Sequence, residues 1–147
     1  MNPKDQFCMS DNVRVDATKP YIDRINIVHK YDRCPDLSYL EQEYESETPE
    51  NREKYKAQDK ARLDAYYNDE WFCFGIYATA DIHVPFGTYV QIVPVKSGGV
   101  WGFESDSDEN YDSEHKHAIE DLKALLSKLN VEVPDNVQII PFEEIEH

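Results

Sequence analysis

From Phe72 the chain alternates: the even positions read Phe72, Phe74, Ile76, Ala78, Ala80, Ile82 and Val84, while the odd ones include Cys73, Gly75, Tyr77, Thr79, Asp81 and His83. A period of two sustained over residues 72–84 predicts one long strand with a single buried face, because successive side chains leave opposite sides of an extended backbone. Pro85-Phe86-Gly87 then turns the chain, residues 88–96 predict a second strand, Ser97-Gly98-Gly99 turns it again, and residues 100–104 predict a third. Strands joined this closely form an antiparallel meander. Pro94 has no N–H to give a ladder, so the middle strand is expected to bulge or to leave an unpaired edge there. Upstream, Arg24-Ile25-Asn26-Ile27-Val28-His29 predicts a strand over 23–31, and Val13-Arg14-Val15 a shorter one. Val137-Gln138-Ile139-Ile140 predicts a last short strand.

Two stretches carry the helical period instead. Thr48 suits an N-cap, Pro49 the first helical position and Glu50 the positive end of the helix dipole, which predicts a helix over 49–67 with a thin stripe at Tyr55, Leu63, Tyr66 and Tyr67. Such a helix lies on a sheet rather than inside a core. Tyr111, His115, Ala118, Ile119, Leu122, Leu125, Leu126 and Leu129 predict an amphipathic helix over 108–129, with Asn130 ending it. The elements add up to an α+β fold: an antiparallel sheet of 72–84, 88–96 and 100–104 joined by 23–31, with both helices packed on it. At 147 residues this is one domain, 1–147, with ends at 1–12 and 143–147 expected to be flexible.

Charge changes the picture more than composition does. The formal net charge is −15, and it is uneven: residues 31–70 hold six basic against twelve acidic groups and residues 101–147 three against thirteen, while 71–100 carry one of each. Such a field repels nucleic acid and anionic membranes and favours basic partners or cations. No stretch approaches the roughly 18 apolar residues of a membrane helix. Cys8, Cys34 and Cys73 are odd in number and widely spaced, which excludes a disulfide framework and a C-x-x-C metal knuckle and predicts a reducing, cytoplasmic setting.

The densest acids follow Trp101: Glu104, Asp106, Asp108, Glu109, Asp112 and Glu114. Asp106, Asp108, Asn110 and Asp112 have the odd-numbered spacing of a calcium loop, but Tyr111 and His117 stand where that loop needs Gly and a bidentate Glu. A helix start accounts for the same acids, with Ser107 or Asp106 as cap and Asp108, Glu109 and Asp112 against the dipole. No metal or other cofactor is therefore expected. His115 and His117 point about 200° apart on a helix and do not share a zinc ion easily. His115 is expected to be a packed histidine, Cys73 a small buried hydrophobe, and Trp101 an indole laid over glycine backbone. No nucleophile has a base positioned beside it, so no catalytic residue is assigned.

Pro35-Asp36-Leu37-Ser38-Tyr39-Leu40, the run Gly75-Ile76-Tyr77-Ala78-Thr79-Ala80-Asp81-Ile82, and Ser97-Gly98-Gly99-Val100-Trp101-Gly102-Phe103-Glu104-Ser105-Asp106-Ser107 together resemble a group of small uncharacterised proteins encoded by phages, prophages and plasmids. Val100 and Phe103 replace the Leu and Ile usual in that group, and the similarity spans roughly residues 32–130. The resemblance implies a mobile-element context and, with it, a host cytoplasm; it implies no activity. The function expected from charge and context is a non-enzymatic, acidic interaction protein that inhibits a host defence or nucleic-acid-binding protein by mimicking nucleic-acid charge. Its partner-binding residues would be Trp101, Glu104, Asp106, Asp108, Glu109, Asp112 and Glu114, offered to a basic host protein. The alternatives are a divalent-metal or small-ligand enzyme using the Glu104–Asp112 acids with His83 or His115, and a virion or assembly component.

Overall fold

In chain order the elements are β1 (Arg24–Tyr31), a 3-10 turn (Ser38–Leu40), α1 (Pro49–Tyr67), β2 (Cys73–Phe86), β3 (Tyr89–Lys96), β4 (Val100–Glu104), α2 (Asp112–Lys128) and β5 (Gln138–Ile140). They come from a computed structural model that describes residues 19–142 and Ile145. The strand expected at 13–15 and, Ile145 apart, the chain ends expected to be flexible lie outside the described residues. The fold is α+β, with a mostly antiparallel five-stranded sheet in the order β3-β2-β1-β5 and β4 also paired to β2.

Strand β3 pairs antiparallel with β2 in unbroken register from Phe86↔Tyr89 to Thr79↔Lys96. Gly87, at φ +65, makes the two-residue turn between them. Pro94 therefore causes no bulge. The bridge of His83 to Tyr21 and the bond from Ser97 N–H to the Ala78 carbonyl show that odd residues of β2 face away from β3 while even ones bond toward it. Pro94 pairs with Asp81 and Pro85 with Val90, so both prolines sit where the missing N–H would point away from the β2–β3 ladder.

Two expectations about the sheet are corrected. The meander order fails because β4 pairs with β2, not with β3. After Lys96 the chain continues along β2: Ser97 donates to Ala78, and Ser105 donates to the Phe72 carbonyl. From Ala78 to Phe72 is six residues and from Ser97 to Ser105 is eight, so the stretch between them, Gly98-Gly99 and Gly102 included, takes up two extra residues in one edge instead of reversing the chain, with Gly99 at φ +79 and Gly102 at φ +97. The last strand, β5, runs parallel to β1, from Arg24↔Gln138 to Asn26↔Ile140.

The chain divides into two compact units. The first comprises the described residues through Lys30, Ile76–Val100 and those from Asn110 on. Its core is Ile22 and Ile25, the even β2 residues Ala78, Ala80 and Ile82, the α2 stripe Ala118, Leu122 and Leu126, and Val131. The i, i+4 spacing of that stripe on a helix meets the i, i+2 spacing of the strand, and each fully buried Leu or Ile contributes roughly 1.5–3 kcal/mol. The second unit comprises Tyr31–Gly75 and Trp101–Glu109. Its small core is Leu40, Trp71 and Cys73, with Leu37, Leu63, Ala65 and Tyr66 against it.

Helix α1 buries no residue fully; Leu63, Ala65 and Tyr66 pack on the small core, and its ends and polar contacts add to that hold. Thr48 Oγ1 accepts from Asn51 N–H with Pro49 behind it. Arg52 donates to the carbonyls of Tyr44, Glu45 and Glu47, and Tyr44 Oη donates to Asp59 at 2.5 Å. Both helices stop in the same way: Asp69 and Asn130 take φ near +60, at 60 and 57, and the next N–H groups, of Glu70 and Val131, return to Ala65 and Leu126. This Schellman arrangement satisfies the last free carbonyls.

The start of α2 is corrected by four residues. It begins at Asp112, and Tyr111 stands at the cap position without a side-chain capping bond to the helix. Neither Ser107 nor Asp106 caps it, because each has a nearer partner: Ser107 Oγ accepts from Glu109 N–H and Asp106 binds Arg62. Asn110 Oδ1 accepts from Asp112 N–H. Residues 105–111 are thus a run of side-chain-closed turns, which compete with helix for the same N–H groups. Asp112 and Glu114 do lie in the first turn of α2, as the dipole favours.

Candidate functional site

The acidic loop of the second unit is organised by a cation that its own residues do not supply. Arg62, on the last turns of α1, donates from Nη1 and Nη2 to both oxygens of Asp106, at 2.6 and 2.7 Å, and from Nη2 to Glu104 at 2.6 Å. Its guanidinium lies 3.7 Å from the ring centroid of Trp71, whose indole N–H donates to the Arg62 carbonyl at 3.0 Å. A planar fork suits this use, since one face stacks while the edge holds two carboxylates. The bonds to Arg62 hold Asp106 below the usual carboxylate range, and those from Asp106 raise Arg62 further. Burial, then the Glu104 charge, pushes the Tyr39 phenol up to about 12, so it stays protonated.

The backbone of the loop is tied down on both sides of the clamp. Ser105 N–H donates to the Phe72 carbonyl while Phe72 N–H donates to Ser105 Oγ at 2.9 Å. Ser107 N–H donates to the Glu104 carbonyl. A recess of about 280 Å³ is lined by Gly102, Phe103, Glu104, Asp106, Ser107 and Glu109. Gly102 takes φ +97, a conformation that L side chains rarely adopt.

Trp101 does lie over a glycine, but the glycine is Gly75 on β2, not its neighbour Gly102. A Cβ at Gly75 would overlap three carbons of the Trp101 ring. Trp101 remains 48 % exposed, so one face packs and the other meets solvent. Gly75→Ala is expected to destabilise the chain by roughly 1–3 kcal/mol through forced displacement of the indole, read by chemical denaturation, with a red-shifted Trp emission as the local signature. An unshifted emission and unchanged stability would contradict the contact.

The sequence-derived site residues therefore divide. Glu104 and Asp106 share the single charge of Arg62, whereas Asp108 and Glu109 are exposed, with no ion pair among the described residues. Asp112 and Glu114 belong to the first unit, on α2, with Asp112 exposed and one Glu114 carboxylate oxygen buried without a hydrogen bond. The four calcium-loop positions do not converge: Asp106 holds Arg62, Asn110 closes a turn, Asp112 begins a helix, and among the described residues no group of three His, Cys, Asp or Glu side chains is placed to hold a metal.

Sequence reasoning missed Arg62. Its one signal was position, since it directly precedes Leu63 on the thin stripe and lies one turn before Tyr66.

The first unit holds a second polar group. His29 of β1 is 2 % exposed, and its Nε2 lies 2.8 Å from Nε2 of His115 on α2. Phe142 stacks on His29 with ring centroids 3.6 Å apart, and Tyr111 meets it edge-on. Burial, then the neighbouring His115, lowers His29 to about 4; burial also lowers His115, against the opposing pull of Asp112 and Glu114. His115 is a packed, partnered histidine as expected. His83, which could have joined an acid of the loop, instead stacks on Tyr21 at 4.9 Å and lies 3.8 Å from Asp23. Cys73 is buried, and burial followed by the charges of Glu104 and Asp32 raises its thiol, which disfavours the thiolate a nucleophile needs. Cys34 is exposed in its turn.

Among the described residues no helix is long and apolar enough to cross a membrane. No family model matches the chain, and no curated protein or solved structure matches it significantly.

Proposed function

We propose that the chain is a non-enzymatic, acidic binding protein of phage or other mobile-element origin, whose second unit offers carboxylates to a basic protein as a substitute for nucleic-acid phosphates. The observation that carries this reading is the concentration of charge on a preorganised scaffold. The second unit holds sixteen acidic against six basic side chains, ten of the fifteen net negative charges, in 54 residues. Three of those basic groups are already committed, Arg62 to Glu104 and Asp106, Lys56 to Glu43, and Lys60 to Asp64. A loop whose conformation is fixed before binding loses little entropy on binding, so its free carboxylates, Asp108 and Glu109, are pre-positioned. The mobile-element origin rests on the resemblance of residues 32–130.

The expected signature is salt-sensitive association. Binding to a basic partner should weaken steeply between low and physiological salt, as it does where phosphate charge is what the partner reads. The double change Asp108→Asn with Glu109→Gln should lower affinity by about tenfold, each rim charge contributing about 0.5–1 kcal/mol. Affinity that is indifferent to salt and to both changes would remove charge mimicry from this loop. Calorimetry with calcium, magnesium, manganese and zinc separates the metal alternative, because a heat of binding with a raised melting temperature would favour it.

A further inference from the structure

Strand β3 ends the sheet, and among the described residues nothing pairs with its outer edge. Its odd residues bond to β2, so the N–H and C=O groups of Val90 and Ile92 point outward, as does the carbonyl of Pro94. The side chains there are unusually exposed for their type: Phe86 60 %, Tyr89 54 %, Ile92 44 % and Val93 44 %. Residues 82–95 contain no Asp, Glu, Lys or Arg. In a chain of charge −15 this is where another copy can approach without direct like-charge contact.

We infer that β3 pairs antiparallel with β3 of a second copy, about a two-fold axis at Gln91. An axis there sets each residue of Tyr89-Val90-Gln91-Ile92-Val93 against its counterpart across Gln91, so the strand meets itself with no charged side chain in the pairing. In that register Val90 lies opposite Ile92 of the copy and exchanges both backbone hydrogen bonds with it, twice over. Tyr89 lies opposite Val93, also twice, an aromatic against a β-branched side chain, which is a favourable cross-strand pair. Gln91 meets Gln91, whose amides can bond to each other. Pro94 lies beyond this pairing, so its missing N–H removes none of these bonds and limits the ladder at that end. A basic partner gains nothing from this uncharged strip, whereas a self-complementary strand edge fits it.

Sedimentation of the full chain from roughly 10 µM to roughly 1 mM, the range suited to a small interface, should show the mass rising from 17.2 kDa toward twice that value. The rise should be stronger at high salt, because screening weakens repulsion between two copies of charge −15. Ile92→Lys, at an exposed position, should return the chain to monomer at every concentration. With Cys8 and Cys34 replaced by Ser, Gln91→Cys should cross-link to itself on mild oxidation, since facing non-bonded residues lie about 4.5 Å apart between Cα atoms, within disulfide reach. Lys96→Cys should not. A monomer throughout, a dimer that survives Ile92→Lys, or equal cross-linking at 91 and 96 would overturn the pairing. Association that falls as salt rises would also overturn it and would point to the charged unit instead.

Discussion

Replacing Arg62 by Met is expected to destabilise the chain by about 2 kcal/mol and to lower its melting temperature by about 4–8 °C, the shift that such a loss produces in a domain of this size. The change keeps most of the aliphatic stem that packs near Trp71 but removes the cation between Glu104 and Asp106. Breaking a wholly buried pair costs roughly 3–5 kcal/mol; Arg62 is 29 % exposed and Asp106 47 %, so water recovers part of that. Arg62→Lys should recover little, because an ammonium keeps the charge but cannot bond both oxygens of Asp106 while stacking on an indole. Denaturant unfolding followed by Trp fluorescence reads the loss, since Trp71 is in direct contact. Stability within about 0.5 kcal/mol of the parent, the range of an ordinary surface change, would show that the clamp is a surface ion pair and nothing more.

Acid is expected to remove about 3 kcal/mol of stability between pH 7 and pH 4 through the histidine pair. The sign follows from where each state binds protons. His29 in the folded chain takes its proton only near pH 4, against 6.5 ordinarily, so between those values the unfolded chain binds more protons and stability falls as pH falls. The contribution is fully present above about pH 6.5 and gone below about pH 4. A shift of that size multiplied by about 1.4 kcal/mol per pH unit gives the magnitude. His115, also lowered, adds in the same direction. A proton on His115 alone leaves His29 Nε2 as an acceptor; a proton on both leaves two donors 2.8 Å apart, so the second proton opens the pair. Asp106 is likewise lowered, but its contribution is lost only at still lower pH, below the ordinary carboxylate value. Unfolding curves at several pH values, repeated with His29→Phe, separate the effects: the variant should lose most of the slope between pH 6.5 and pH 4, and an equal slope in both proteins would contradict the assignment.

Local rules placed most elements and failed wherever a distant group competed. The 49–67 helix was legible because Thr48, Pro49 and the turn at Asn68-Asp69 each act on nearest neighbours, and β2 because its alternation is long and unbroken. The partner of β4 was not legible, since Gly98-Gly99 has the composition of a hairpin turn and only pairing with β2 shows it to be part of an insertion in one continuous edge. Local rules place the helix start too early because Asp106 has the chemistry of a cap, while its rival for that carboxylate, Arg62, is 44 residues away. The same contact decided the site. Charge density was visible along the chain, but which carboxylates are spent on folding and which remain available depends on a guanidinium that no local pattern links to them.

The central claim is that the acids left unpaired in the second unit bind a basic protein. It is tested most directly by affinity purification of the tagged chain from host cells at low and at physiological salt, beside the Asp108→Asn, Glu109→Gln double variant with its fold checked by circular dichroism. The account predicts that the parent recovers a protein with a basic, nucleic-acid-binding surface at low salt, loses it as salt rises, and loses most of it in the variant. Recovery of the same partner by parent and variant alike, with no dependence on salt, would contradict it.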